Sequence, residues 1–151
     1  MITAALCLPH LAVASSDAAI ASLAARLAEN GHVKASFALA AQKREKRSPT
    51  ALPFDPHPVA LPHAEPEHVD TPAIAIATLE KPVRFRQMGS PGTTLEVSLI
   101  VMPALSAKEQ AAASLTRVIE LLQDASFREA LVGASDAAAM AAIFEAKWGN
   151  V

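Results

Sequence analysis

Five histidines, His10, His32, His57, His63 and His68, are the first candidates for chemistry, because an unperturbed imidazole titrates near neutrality. His57, His63 and His68 lie among Asp55, Glu65, Glu67 and Asp70, ligand types that raise the question of a metal. The spacing argues against one. Five residues separate the first pair of histidines and four the second, so neither matches a helix-face pair, and Pro58, Pro62 and Pro66 prevent the helix that would make them match. A loop could still gather these ligands, but the expectation is no metal and no cofactor. His10 and His32 stand alone and read as structural or surface side chains.

His63 differs from its neighbours in context. It follows the apolar run Val59-Ala60-Leu61, and Pro62 stiffens the exit, so its imidazole is expected at a strand end, where α/β proteins place ligand chemistry. A neutral imidazole held in one tautomer by a bond to one nitrogen offers a lone pair on the other, and that lone pair is a nucleophile. Taken alone, a histidine beside an apolar strand reads first as a hydrogen-bonded structural side chain. The cationic run Lys43, Arg44, Lys46 and Arg47 closes a predicted helix, and a solvated helix end favoured by the macrodipole accounts for most of it.

These residues need elements to position them. Ser16 to Asn30 reads as a helix, with Ser16 as cap and Ile20, Leu23, Ala24 and Leu27 on one face. A second helix is expected from about Lys34 to Lys46. Eight of the eleven prolines fall between Pro49 and Pro82, yet Val59–Leu61 and Ala73–Ala77 are strand-like runs inside that stretch, so the prolines punctuate folded structure. Thr94–Met102 is a third strand, and the apolar N-terminal segment holds another. Ser106-Ala-Lys-Glu109 and Ser126-Phe-Arg-Glu129 look like capping boxes for two helices, and a last helix is expected from about Ser135 to Lys147. The fold expected is α/β, a small mixed β-sheet sandwiched by helices, with residues 1–151 as one domain.

Composition narrows the function. The 13 Lys and Arg against 15 Asp and Glu leave a net charge of −2, without the basic footprint that nucleic acid or an anionic membrane needs. Five Phe, one Trp and no Tyr offer no stacking platform for single strands. The lone Cys7 excludes a disulfide framework and a cysteine-rich metal site. No apolar run reaches the ~18 residues of a membrane span, and no Lys or Arg precedes the apolar N-terminus as a signal peptide requires. A cytoplasmic protein is expected.

Read in order, Arg44-Glu45, Pro49-Thr50-x-Leu52, Val59-Ala60-Leu61-Pro62-His63, Glu67-His68-Val69, Pro72 to Ala77 and Pro82-Val83-x-Phe85 resemble the fructose/mannitol-type enzyme IIA of the bacterial phosphoenolpyruvate-dependent sugar phosphotransferase system. Arg86-Gln-Met-Gly89 and the strand after it look most like the galactitol-type branch. The resemblance implies that His63 accepts a phosphoryl group from the carrier HPr and passes it to a cysteine of a IIB partner, serving a IIC transporter during sugar uptake. Arg44 matches the family's arginine near the active histidine. A regulatory protein built on the same domain, like the nitrogen-type members, is the alternative. Departures from the pattern are Ala51 and Pro58 in place of glycines, Ser48 in place of an aromatic, and no second histidine in Ser106–Leu115, where Gln110 is the nearest polar substitute. An apolar docking rim is expected near Phe54, Leu61 and Ala64.

Overall fold

A computed structural model describes residues 1–106 and 108–149, without the side chains of 108–110. After a 3-10 turn at Ala4–Leu6 come β1 (Cys7–Leu11), α1 (Ser16–Glu29), α2 (Phe37–Arg47), β2 (Val59–Ala60), a 3-10 turn at Pro66–His68, β3 (Ala73–Gln87), β4 (Ser90–Ala104), α3 (Lys108–Leu122), α4 (Ala125–Gly133) and α5 (Ala137–Gly149). The strands form one mixed sheet in the order β1-β3-β4-β2. β1 runs parallel to β3, β3 and β4 form an antiparallel hairpin, and β2 runs parallel to β4.

Alternation along the strands divides the core into two layers. Ala73, Ala75 and Ala77 of β3, with Ile100 and Met102 of β4, face Ile20, Leu23, Leu27, Phe37 and Ala41 of α1 and α2. Ile74, Ile76, Leu99 and Val101 point the other way, against Val118, Leu122, Phe127, Leu131, Met140 and Phe144 of α3, α4 and α5. Both faces of the sheet are therefore covered, which is the expected sandwich. Small alanines on the first face let α1 pack close to the sheet.

Several boundaries move for local reasons. The α1 cap is Ser15, whose Oγ accepts the Ala18 N–H at 3.1 Å, not Ser16. α2 begins at Phe37, later than expected, because Val33 bridges Val69 and Lys34 N–H donates to the His68 carbonyl, holding that segment extended. The Ala73 strand runs on to Gln87, past Pro82, through a register shift between Thr78 and Val83 that spares the ladder the missing N–H. Gly89, at φ 73°, turns the hairpin where a side chain would be strained. Asp124, not Ser126, caps α4: its Oδ1 accepts from Ser126 and Phe127, while its Oδ2 pairs with Lys147 of α5 at 2.7 Å. α5 begins two residues later than expected, after Asp136, whose Oδ1 accepts the Ala139 N–H. The first capping box relies on Glu109, whose side chain lies outside the described residues.

The far half of the hairpin has a local task. Ala51 N–H donates to the Arg86 carbonyl at 3.3 Å and the Ala51 carbonyl accepts from Met88 at 2.8 Å, so the segment after α2 is stitched to the hairpin tip. Ala51 is fully buried, and the non-glycine residues with left-handed backbone among those described are His10 and His57. An ordinary backbone therefore serves where glycine stood in the resemblance. Arg128, itself buried, donates to the Pro56 and Leu122 carbonyls and stacks over Phe54, anchoring the following loop to α4. No helix among the described residues is long and apolar enough to cross a membrane.

Phe144 is fully buried and its ring centroid lies 5.7 Å from that of Phe127. Phe144→Ala should cost about 3–5 kcal/mol of stability, measured by chemical denaturation.

Candidate functional site

The last turn of α2 presents two adjacent residues to different surroundings. Phe37, Ala41 and Glu45 recur at i, i+4 and i+8 and face inward, so Glu45 is buried, while Arg44 reaches out towards the strand end. Glu45 is satisfied by one residue: Oε2 accepts the Thr50 N–H at 2.9 Å and Oε1 accepts the Thr50 hydroxyl at 2.7 Å. Thr50 Oγ1 in turn accepts the Leu61 N–H at 3.0 Å. Burial pushes the Glu45 carboxyl above its usual range, opposed by the two Thr50 bonds and by the charges of Arg86 and Arg44.

His63 stands two residues beyond Leu61. Its Nδ1–H donates to the Leu61 carbonyl at 2.8 Å, which leaves the lone pair on Nε2. Arg44 Nε–H donates to that Nε2 at 3.1 Å, and Arg44 Nη1 holds Glu65 Oε1 at 2.6 Å. Burial lowers the His63 pKa; the Leu61 carbonyl pulls it up, Arg44 pushes it down and Glu65 raises it, with a net fall. The ring is therefore neutral near pH 7, with a fixed tautomer and one nucleophilic nitrogen.

His63 and Arg44 line a cleft of about 310 Å³ together with Glu65 and an apolar wall that includes Pro103, Ala111 and Leu115. A shallow apolar cleft with a few convergent polar groups suits a docking partner or small ligand. The expected pair, His63 and Arg44, is thus brought together. The other histidines are elsewhere: His68 Nδ1 pairs with Ser36 Oγ at 2.8 Å, His32 Nδ1 lies 3.3 Å from the Thr71 carbonyl, His57 occupies the loop held by Arg128, and the His10 backbone bonds Thr78. Among the described residues, no three His, Cys, Asp or Glu side chains gather as metal ligands.

Of the expected docking rim, Ala64 lines the cleft. Leu61 is fully buried, and Phe54 packs beneath Arg128 on the opposite layer. Ser48 closes α2, its N–H bonded to the Arg44 carbonyl at 2.7 Å. The Gln110 side chain lies outside the described residues. Cys7, buried on β1, has its thiol pushed up to about 11 by burial and is held in the protonated, unreactive form. The contributions of Glu65, Glu45 and Thr50 were not read from the sequence. For Glu45 the signal was present: an acid at the apolar-face position of a helix that is otherwise cationic there.

The family described as "Phosphoenolpyruvate-dependent sugar phosphotransferase system, EIIA 2" matches residues 1–147. The chain is 35% identical over 91 residues to the transcriptional regulator ManR of Bacillus subtilis, a match over 60% of this chain that spans only 12% of that protein. In structure it is similar to enzyme IIAMTL in its complex with phosphorylated enzyme IIBMTL from Escherichia coli, with a TM-score of 0.78, 19% identity, and 100% and 99% of the two chains covered. It is also similar to the nitrogen regulatory protein IIA-Ntr of Neisseria meningitidis, with a TM-score of 0.73, 22% identity, and 93% and 94% covered. At such identities the likeness to these two structures shows the fold alone.

The electrostatics make a direct prediction. In a nuclear magnetic resonance titration the His63 midpoint should fall below 6.5, and Arg44→Ala should move it upward by removing a nearby positive charge and admitting water. Because the folded pKa is lowered, His63 is neutral in both states above 6.5. As pH falls through that value the unfolded chain takes the proton first, so this histidine's effect is to reduce stability on the acid side.

Proposed function

Because the chain belongs to the phosphoenolpyruvate-dependent sugar phosphotransferase system EIIA 2 family, we propose that His63 accepts a phosphoryl group on Nε2 and hands it on, with phosphohistidine as the intermediate. The observation that carries the reading is the imidazole itself: neutral, lining a cleft, its Nδ1–H committed to Leu61 and its Nε2 with a guanidinium already beside it.

In the proposed transfer, the Nε2 lone pair attacks phosphorus as the phosphorus–nitrogen bond of the donor breaks, and the donor histidine of HPr keeps the electron pair. In the second step a cysteine thiolate of a IIB partner attacks, the phosphorus–sulfur bond forms, and the pair returns to Nε2. Such a step asks the protein mainly to align the partners and stabilise the equatorial oxygens. At rest Arg44 Nε–H occupies the attacking lone pair, so it must slide off as phosphorus arrives, and its forked donors then suit the phosphoryl oxygens. Glu65 keeps the guanidinium at the cleft through this movement.

The IIB partner is supported by the similarity to enzyme IIAMTL in its complex with phosphorylated enzyme IIBMTL. HPr as donor, a IIC transporter, sugar uptake and a cytoplasmic site follow from the family resemblance, and Arg86-Gln-Met-Gly89 supports the galactitol-type branch. One observation favours a second reading, regulation by phosphorylation-dependent protein binding: the sequence similarity to the transcriptional regulator ManR. Genes for IIB and IIC beside this one would favour uptake, and their absence regulation.

Incubation with phosphoenolpyruvate, enzyme I and HPr should place an acid-labile phosphate on the wild type and none on His63→Ala. Label in the variant, or none on the wild type with cognate partners, overturns the proposal. Arg44→Lys should slow transfer by about tenfold or more while the fold survives, since a hydrogen bond to a charged group is worth about 1.5–3 kcal/mol. An unchanged rate removes Arg44 from the site. His57→Ala and His68→Ala should keep their label.

A further inference from the structure

The nucleophilic tautomer of His63 depends on the Leu61 carbonyl standing 2.8 Å from Nδ1. β2 ends at Ala60, so Leu61 lies one residue past the strand, where the ladder no longer sets the peptide planes. What meets Leu61 there is a side chain. Its N–H donates to Thr50 Oγ1 at 3.0 Å, and the Thr50 hydroxyl and N–H both donate to the Glu45 carboxylate. All three residues are buried: Leu61 is 0% exposed, Thr50 3% and Glu45 8%.

We propose that Thr50, braced by Glu45, is a positioning residue that sets the tautomer and aim of His63 by fixing the Leu61 main chain. The inference deepens the proposed function and rests on it in one respect, that Nε2 is the reacting atom. Three features single out Thr50 from a merely buried polar side chain. Its hydroxyl is both donor and acceptor, and here both capacities are used, towards Glu45 and Leu61. It contacts the residue whose carbonyl holds Nδ1, so a displacement of Leu61 is passed to the ring through one peptide. Glu45 is adjacent in sequence to Arg44, so one helical turn addresses both nitrogens of the imidazole, directly at Nε2 and through Thr50 and Leu61 at Nδ1.

The test compares Thr50→Val, which removes the hydroxyl at constant shape, with Thr50→Ser, which restores it, in the full chain. Nitrogen-15 resonances of the unphosphorylated protein report the His63 tautomer, and labelling from phosphorylated HPr reports the rate. Thr50→Val should lose the preference for Nδ1–H and slow labelling about tenfold, the size of one lost hydrogen bond, and Thr50→Ser should recover both. A folded Thr50→Val with the wild-type tautomer and rate overturns the proposal. So does Thr50→Val whose only change is a lower melting temperature. If Thr50→Val does not fold, Thr50→Ala gives the same readings, because it too removes the hydroxyl that accepts the Leu61 N–H; a wild-type tautomer and rate there also overturn the inference. The tautomer measurement needs no phosphoryl donor. A wild type that takes no label defeats the proposed function while the nitrogen shifts still decide this inference, and a labelled wild type with an unaltered Thr50→Val defeats this inference alone.

Discussion

Everything at the candidate site depends on a carboxylate that is buried beneath the end of α2. Glu45 must find donors inside the protein, since an unpaired ionised group in the interior is far costlier than an unpaired neutral one. It finds two, both on Thr50, and meeting that need fixes a segment that carries no regular secondary structure of its own. The consequence travels outward: Thr50 holds Leu61, Leu61 holds Nδ1 of His63, and Nε2 is left as the one reactive nitrogen. Burial then works in the same direction, because desolvation disfavours the imidazolium that would have no lone pair.

The sheet supplies the rigidity that such a chain of contacts requires. β2 is only two residues long, yet it lies against β4 and its residues are fully buried, so the exit to His63 starts from a fixed point. The long hairpin of β3 and β4 adds a second fixed point by pairing with Ala51, and Arg86 of that hairpin donates to the Lys46 carbonyl at the end of α2. Helix, loop and strand are thus joined by short polar contacts along one side of the sheet, while the hydrophobic layers on both faces carry the stability.

Arg44 connects this frame to the surface. It bridges Nε2 and Glu65 across the mouth of an otherwise apolar cleft, and its side chain is about one-third exposed. An arginine so placed can exchange one acceptor for another without leaving the site. The neighbouring cations Lys43 and Arg47 are exposed on the end of α2, and Lys46 pairs with Asp17 at 3.6 Å, so the solvated helix end read from the sequence holds for them.

Periodicity and punctuation in the sequence were enough for the helices, the strand cores and the layered α/β class, because burial on a sheet face or helix stripe leaves a repeating apolar pattern. The order of short motifs was enough to bring His63 and Arg44 forward together. Caps and element starts were less legible: Asp124 competes with Ser126 for the same role two residues apart, and α2 starts late because Val33 and Lys34 are claimed by partners more than thirty residues away. The roles of Glu45, Thr50 and Glu65 belong to the tertiary structure alone. Glu45 and Thr50 lie in motifs that the sequence displays, but what each does comes from a partner brought near by folding, as it does for Glu65. Residue types determined by themselves that an imidazole and a guanidinium were available; only the tertiary contacts that bring the Leu61 carbonyl to Nδ1 and Arg44 to Nε2 decided which nitrogen keeps the lone pair.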